Sequence, residues 1–174
     1  SMDIPILNIY YLLSYAWNRL DEAESKMVSR IDFPNAQNLF AKLLINSTSW
    51  LLKHGIFQNY IEVDEAYNGV KGKVDFAQSL KLNLFQDCKS WCYFHDYTPN
   101  ILANKILKTT IHRLLYVEKL NNEYRSQLHH LLYLLNGIDQ ITLTRDVFSK
   151  VHLNNYTRIY HYILDICEMI YLNL

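Results

Sequence analysis

A chain of 174 residues with half of its side chains apolar is long enough for one domain with a buried core and short for two. Glycine at 4 and proline at 3 fall below the average usage of roughly 7% and 5%, which disfavours all-β folds, collagen and flexible linkers, because these consume turn residues. The 17 basic and 17 acidic side chains cancel, residues 1–87 (8 basic, 10 acidic) standing at −2 and residues 88–174 (9 basic, 7 acidic) at +2. A protein that grips the phosphate backbone by itself usually carries a basic excess or patch, and this composition does not advertise one.

In chain order, Pro5 suits a first helical turn, and Ile6, Ile9, Tyr10, Leu13, Trp17 and Leu20 recur at helical steps. Asn35 can cap a second helix whose apolar face is Leu39, Phe40, Leu43, Leu44, Trp50 and Leu51, with Gly55 placed to stop it. Tyr60 to Tyr67 alternates Tyr60, Glu62 and Asp64 against Ile61 and Val63, the period of a strand, and runs into the turn signal Asn68-Gly69 with Gly72 close behind. Asp75 can cap a short helix through Leu84. Ser90 to Tyr97, rich in aromatics, is a second strand expected to pair with the first.

Pro99 and Asn100 introduce a helix predicted over Ile101 to Leu120, with Leu102, Ile106, Ile111, Leu114 and Leu115 inward and Lys105, Lys108 and Arg113 outward. Glu123 to Leu135 repeats the pattern and Gly137 ends it. Ile141 to Leu143 reads as a short extended piece, and Thr144 with Asp146 starts another helical turn. Arg158 to Leu174 is apolar on nearly every face and carries neither a glycine stop nor a basic C-cap, so it reads as interrupted, the front part of a longer protein. A terminal helix docked in the core is the other reading of that segment. The expected fold class is mainly α (α+β): a helical domain with a small antiparallel β-hairpin.

The three cysteines Cys88, Cys92 and Cys167 are an odd number without a secretory signal, which points to free thiols in a reducing, cytoplasmic compartment. The longest uncharged run, Ile4 to Asn18, has 15 residues, short of the roughly 20 apolar residues of a membrane span. Cys88, Cys92 and His95 form a C-x3-C-x2-H cluster resembling part of a zinc site, with no fourth ligand nearby unless Asp96 or Cys167 supplies it; two small side chains in or near a strand and a surface histidine are the favoured explanation. His129 and His130 are adjacent on a helix and point about 100 degrees apart, a poor geometry for sharing one metal. No HExxH, GxSxG, P-loop or dinucleotide glycine pattern occurs, and Glu24-Ser25-Lys26 and Asp87-Cys88-Lys89 are only three-residue imitations of a nuclease Glu-x-Lys. Basic and aromatic residues interleave from Lys150 to Tyr162 around Asn154 and Asn155, which suits either a contact loop or an ordinary helix N-terminus.

Three strings in order, IPILNIYYLLSYAWNRL at Ile4 to Leu20, GVKGKVDFAQSLK at Gly69 to Lys81 and NILANKILKTTIHRLL at Asn100 to Leu115, resemble McrC, the nuclease subunit of McrBC-type modification-dependent restriction systems. Weaker similarity continues through Leu135 to Thr144 and Asn154 to Ile170. The resemblance implies a two-part subunit: an N-terminal region, residues 1–174 here, that engages a hexameric McrB-like AAA+ GTPase motor, and a C-terminal PD-(D/E)xK nuclease domain absent from this chain. It implies no catalytic residue, cofactor or metal ligand in this chain; magnesium would belong to the nuclease part. DNA would be reached through the full complex, with no membrane involved.

The same resemblance implies a tip that reaches the motor's pore. Polar and basic side chains that can meet several non-equivalent subunits suit that role, and Lys150, Asn154, Asn155, Tyr156 and Arg158 are the expected partner-binding residues, Arg158 foremost. The alternative is a DNA-contacting domain that positions substrate through Lys105, Lys108, Lys150 and Arg158.

Overall fold

The computed structural model describes residues 36–152 and 156–173. The helix expected over Ile4 to Leu20 and the Asn35 cap lie outside them. The described chain divides into two compact units, one made of the residues up to Phe57 together with those from Leu102 onward, the other of Gln58–Ile101.

The first unit is helical. Helix α1 (Ala36–His54) buries Phe40, Leu43, Leu44 and Leu51, the face expected from their spacing. It stops where Gly55 takes a φ of 107° and its N–H closes on the Leu51 carbonyl at 2.9 Å, a left-handed exit that glycine adopts without a Cβ penalty. Helices α3 (Leu102–Leu114), α4 (Asn122–Leu134), α5 (Arg145–Ser149) and α6 (Arg158–Asn173) follow the second unit. Helix α1 packs on α3, α4 and α6, and α3 packs on α4 and α6. The buried hydroxyls of Ser47, Thr109 and Thr110 donate back to the carbonyls of Leu43, Lys105 and Ile106 at 2.7–2.8 Å, so these polar groups sit in an apolar core at little cost.

Helix α3 is shorter than its pattern. The apolar spacing continues to Leu120, yet the helix ends at Leu114 because distant side chains hold the following loop. Arg125 donates to the Leu115 and Val117 carbonyls. Asn38 donates to the Lys119 carbonyl at 3.0 Å and accepts from the Asn121 N–H at 2.8 Å. Asn121 in turn caps α4 by accepting from the N–H groups of Glu123 and Tyr124. Lys108, expected outward, is turned to the last carbonyls beyond α4, donating to Leu135 O at 2.9 Å and Ile138 O at 2.5 Å. A cation there answers the unpaired carbonyls and the negative end of the helix dipole. The helix ends at Leu134, before Gly137. Ile141 to Leu143 is not a strand; its backbone is pinned by Ile141 N–H donating to Thr109 Oγ1 at 3.0 Å.

The second unit is a three-stranded antiparallel sheet with β1 (Asn59–Asn68), β2 (Lys73–Asp75) and β3 (Lys89–Thr98) in the order β1-β3-β2. The expected pairing of the two long strands runs the full ten residues from Asn59↔Thr98 to Asn68↔Lys89. The chain between them adds β2, the short helix α2 (Phe76–Lys81) and a 3-10 turn (Leu84–Asp87). Asp75 caps α2 as expected, accepting from Gln78 N–H at 2.9 Å. Ser79 ties α2 to the sheet by accepting from Trp91 N–H at 2.8 Å and donating to Asp75 O at 2.6 Å.

Gly72 sets how closely the β1–β2 connection approaches β3. Its φ is 65°, and an added Cβ would meet the Tyr93 carbonyl oxygen and lie 2.8 Å from Phe94 Cβ. Gly72→Ala is therefore expected to destabilise this unit by about 2–3 kcal/mol, from positive φ together with backbone overlap. A shift of less than 0.5 kcal/mol in urea unfolding would show that the connection relaxes freely.

Candidate partner-binding surface

The segment between α5 and α6 was expected to present a contact loop. Lys150 closes α5 as its C-cap and is exposed, and Arg158 opens α6, also exposed. Asn154 and Asn155 lie outside the described residues. Tyr156 is half-buried: its ring lies 4.6 Å from that of Phe57 and 5.1 Å from that of Tyr160, and burial pushes its phenol above the ordinary range. The ring thus anchors the base of the segment, leaving Lys150 and Arg158 as the exposed charges at its two ends.

Beneath Tyr156 is a polar clasp that the apolar periodicity concealed. Tyr160 accepts from Phe57 N–H at 2.8 Å and donates to Asn104 Oδ1 at 2.8 Å, while Asn104 Nδ2 donates to Phe57 O at 3.1 Å. Both backbone groups of Phe57 are satisfied by two side chains from helices far away in sequence. Burial pushes the Tyr160 phenol up to about 12, although its two hydrogen bonds pull the other way. The available sequence signal was an asparagine inside the apolar stripe of α3, between Ala103 and Ile106; a fully buried amide in such a place needs partners.

The DNA-facing alternative loses one of its four cations. With its ammonium on two backbone carbonyls, Lys108 is committed to the fold, and Lys105 is half-buried on the same helix. The zinc reading also fails on geometry. Cys92 and His95 are three residues apart on β3, hence on opposite faces: Cys92 is buried with its Sγ accepting from Lys71 N–H at 3.3 Å, while His95 is exposed with Nε2 3.7 Å from Glu62 Oε1. Cys88 is exposed, Cys167 is buried in α6, and all three thiols are free. Among the described residues no group of three or more His, Cys, Asp or Glu could hold a metal ion, and no helix is long and apolar enough to cross a membrane. His129 and His130 are exposed on α4.

The profile of the family described as McrBC 5-methylcytosine restriction system component matches residues 8–174. The type IV methyl-directed restriction enzyme EcoKMcrBC of Escherichia coli K12 is 31% identical over 167 residues, which is 96% of this chain and 48% of that protein. Two solved structures share the fold. A chain of the Thermococcus gammatolerans McrBC complex aligns with TM-score 0.65 at 20% identity, covering 94% of this chain and 50% of that one. A chain of the half-complex of T. gammatolerans McrB AAA+ hexamers with bound McrC aligns with TM-score 0.63 at 18% identity, covering 90% and 39%. The chain thus spans about half the length of the proteins it matches.

Proposed function

The chain belongs to the McrBC 5-methylcytosine restriction system component family, and from that premise we propose that it is the N-terminal domain of a McrC-like subunit. Its role is to bind a McrB-like AAA+ GTPase hexamer, stimulate nucleotide hydrolysis and couple the motor to DNA cleavage by a separate nuclease domain. The observation that carries this reading is the family match over nearly the whole chain at 31% identity to a methyl-directed restriction enzyme. The share of that relative left uncovered leaves room for a nuclease part, where magnesium and the cleaving carboxylates would reside. The solved relative with bound McrC supports the choice of a hexameric motor as partner.

Within this reading the segment from Lys150 to Arg158 is the motor contact. Lys150 and Arg158 supply charge at its ends, Asn154 and Asn155 lie between them, and Tyr156, packed on Phe57 and Tyr160, holds its base. Charged residues at the rim of a contact govern specificity and encounter, and charge placed near a nucleotide tunes its hydrolysis.

The test is GTP turnover by the McrB-like motor of the same system, titrated with this chain. The expected result is co-elution of the two proteins and a rise in turnover that Arg158→Ala lowers by about tenfold, a loss of about 1.4 kcal/mol in coupling. Arg158→Ala with unchanged stimulation would remove this segment from the contact. The absence of both co-elution and stimulation with the unaltered chain would overturn the adaptor reading itself.

A further inference from the structure

The sheet presents an unusual solvent face. Cross-strand partners share a side of the sheet, so the register places Tyr60 beside Tyr97, Glu62 beside His95, Asp64 beside Tyr93 and Ala66 beside Trp91 on one surface. The other surface carries Ile61, Val63, Cys92 and Phe94, each half-buried or buried. On the solvent side Tyr60, Tyr97 and Tyr93 are 66%, 58% and 38% exposed, so this aromatic row serves no core. Its rings are nevertheless ordered against one another and against carboxylates. Tyr60 and Tyr97 lie 5.0 Å apart, Tyr93 and His95 5.8 Å apart, and Trp91 Nε1 donates to Asp64 Oδ1 at 2.5 Å.

The charge on this face chooses among ligands. Glu62, Asp64 and Asp75 outnumber the two lysines that the register places there, Lys73 beside Tyr93 and Lys89 at the far end of β3 opposite Asn68. Tyr93 senses the excess. Its phenol is raised above the ordinary value by desolvation, then by a hydrogen bond to Glu62 and by the charges of Glu62 and Asp64. An aromatic platform for nucleic acid needs cations alongside the rings to meet phosphates, and here carboxylates outnumber lysines, with no lysine beside Tyr60, Glu62 or Tyr97 in the register. A guanidinium suits both components at once, stacking on an aromatic face while its planar fork pairs with a carboxylate.

We infer that the face formed by Tyr60, Glu62, Asp64, Trp91, Tyr93 and Tyr97 is a docking surface for an arginine-bearing protein segment. The arginine stacks on the tyrosine rings and pairs with Glu62, while Asp64 holds the Trp91 indole in place. This goes beyond the motor contact assigned above, and its test involves no motor, so either reading can fail while the other stands.

The experiment follows two of the three indole N–H resonances of the whole chain, Trp91 on the sheet and Trp50 on α1 as an internal control, during titration with three probes. These are a short Gly-Arg repeat peptide, its Gly-Lys counterpart and a short oligothymidylate. The Gly-Arg peptide is expected to move Trp91 and not Trp50, to bind several-fold more tightly than the Gly-Lys peptide, and to weaken about tenfold in each of Glu62→Gln and Tyr97→Ala. Both altered side chains are exposed, and strand integrity in each variant is checked by the retained Trp91 shift before titration. The inference is overturned if the peptide leaves Trp91 unmoved, if it binds both variants as it binds the parent, or if the oligothymidylate moves Trp91 more strongly than the peptide does.

Discussion

Replacing Asn104 with leucine is expected to lower the unfolding free energy by about 3 kcal/mol, although the two side chains are similar in size and the site is completely buried. The change removes two hydrogen bonds and leaves two groups stranded. Phe57 O loses its donor and Tyr160 Oη loses its acceptor, and each buried group without a partner costs about 1–3 kcal/mol. Tyr160→Phe attacks the same clasp from the other side, stranding Phe57 N–H and removing the phenol donor from Asn104 Oδ1. Because the groups act as a unit, the double variant should lose about 1 kcal/mol or more less than the sum of the single losses. With a urea slope of about 2 kcal/mol/M, the single change at Asn104 moves the midpoint by about 1.5 M at unchanged slope. A midpoint shift below about 0.3 M, or strict additivity of the pair, would show that water replaces the clasp without penalty.

The clasp also shows where sequence reasoning stops. Periodicity locates α3 and its apolar stripe, but Asn104 finds its partners 47 and 56 residues away in sequence, a separation that no local pattern reports. The same limit shortened α3: its spacing runs to Leu120, whereas Asn38, 81 residues before Lys119, holds the loop that replaces the last turns. Features closed by local chemistry were legible. Gly55 ends α1, Asp75 caps α2, and the two long strands pair as their alternation demands. Strand β2 escaped because Lys73-Val74-Asp75 is too short for an alternation to register.

Two side chains bear on function more directly. Lys108 follows the polar side of its helix, yet capping of the α4 end claims its charge, and a helical wheel does not report a neighbouring helix's unpaired carbonyls. Tyr156 belongs to the expected contact segment because tyrosine is enriched at interfaces, and its stacking on Phe57 and Tyr160 gives it a supporting place at the base of that segment. By contrast, the C-x3-C-x2-H spacing was resolvable from strand parity alone, since the odd separation of Cys92 and His95 sends them to opposite faces.

Alkaline solution should unfold the helical unit through α6. Burial pushes the Cys167 thiol from 9.0 up to about 12, with Asp165 adding to the rise and a hydrogen bond with Thr110 opposing it. Burial likewise pushes Tyr160 from 10.0 up to about 12 and raises Tyr162, whose buried hydroxyl has no hydrogen-bond partner among the described residues. Each group keeps its proton in the folded chain at pH values where the unfolded chain has released it. The stability they confer is therefore complete below about pH 9 and is lost as pH rises towards 12. Between pH 8 and 10.5, Cys167 and Tyr160 together account for a loss of about 3 kcal/mol, at 1.36 kcal/mol per unit of difference, and Tyr162 adds in the same direction. By pH 12 the same two groups account for about 6 kcal/mol, enough to unfold the chain if its stability lies towards the lower end of about 5–15 kcal/mol. Urea unfolding at a series of pH values reads this directly. Cys167→Ala should flatten the slope between pH 9 and 12 by up to about 1.4 kcal/mol per pH unit, whatever its effect on stability at pH 7, because the slope counts protons and not packing. A free energy that stays level from pH 8 to 10.5 would mean that these side chains reach water before the fold gives way.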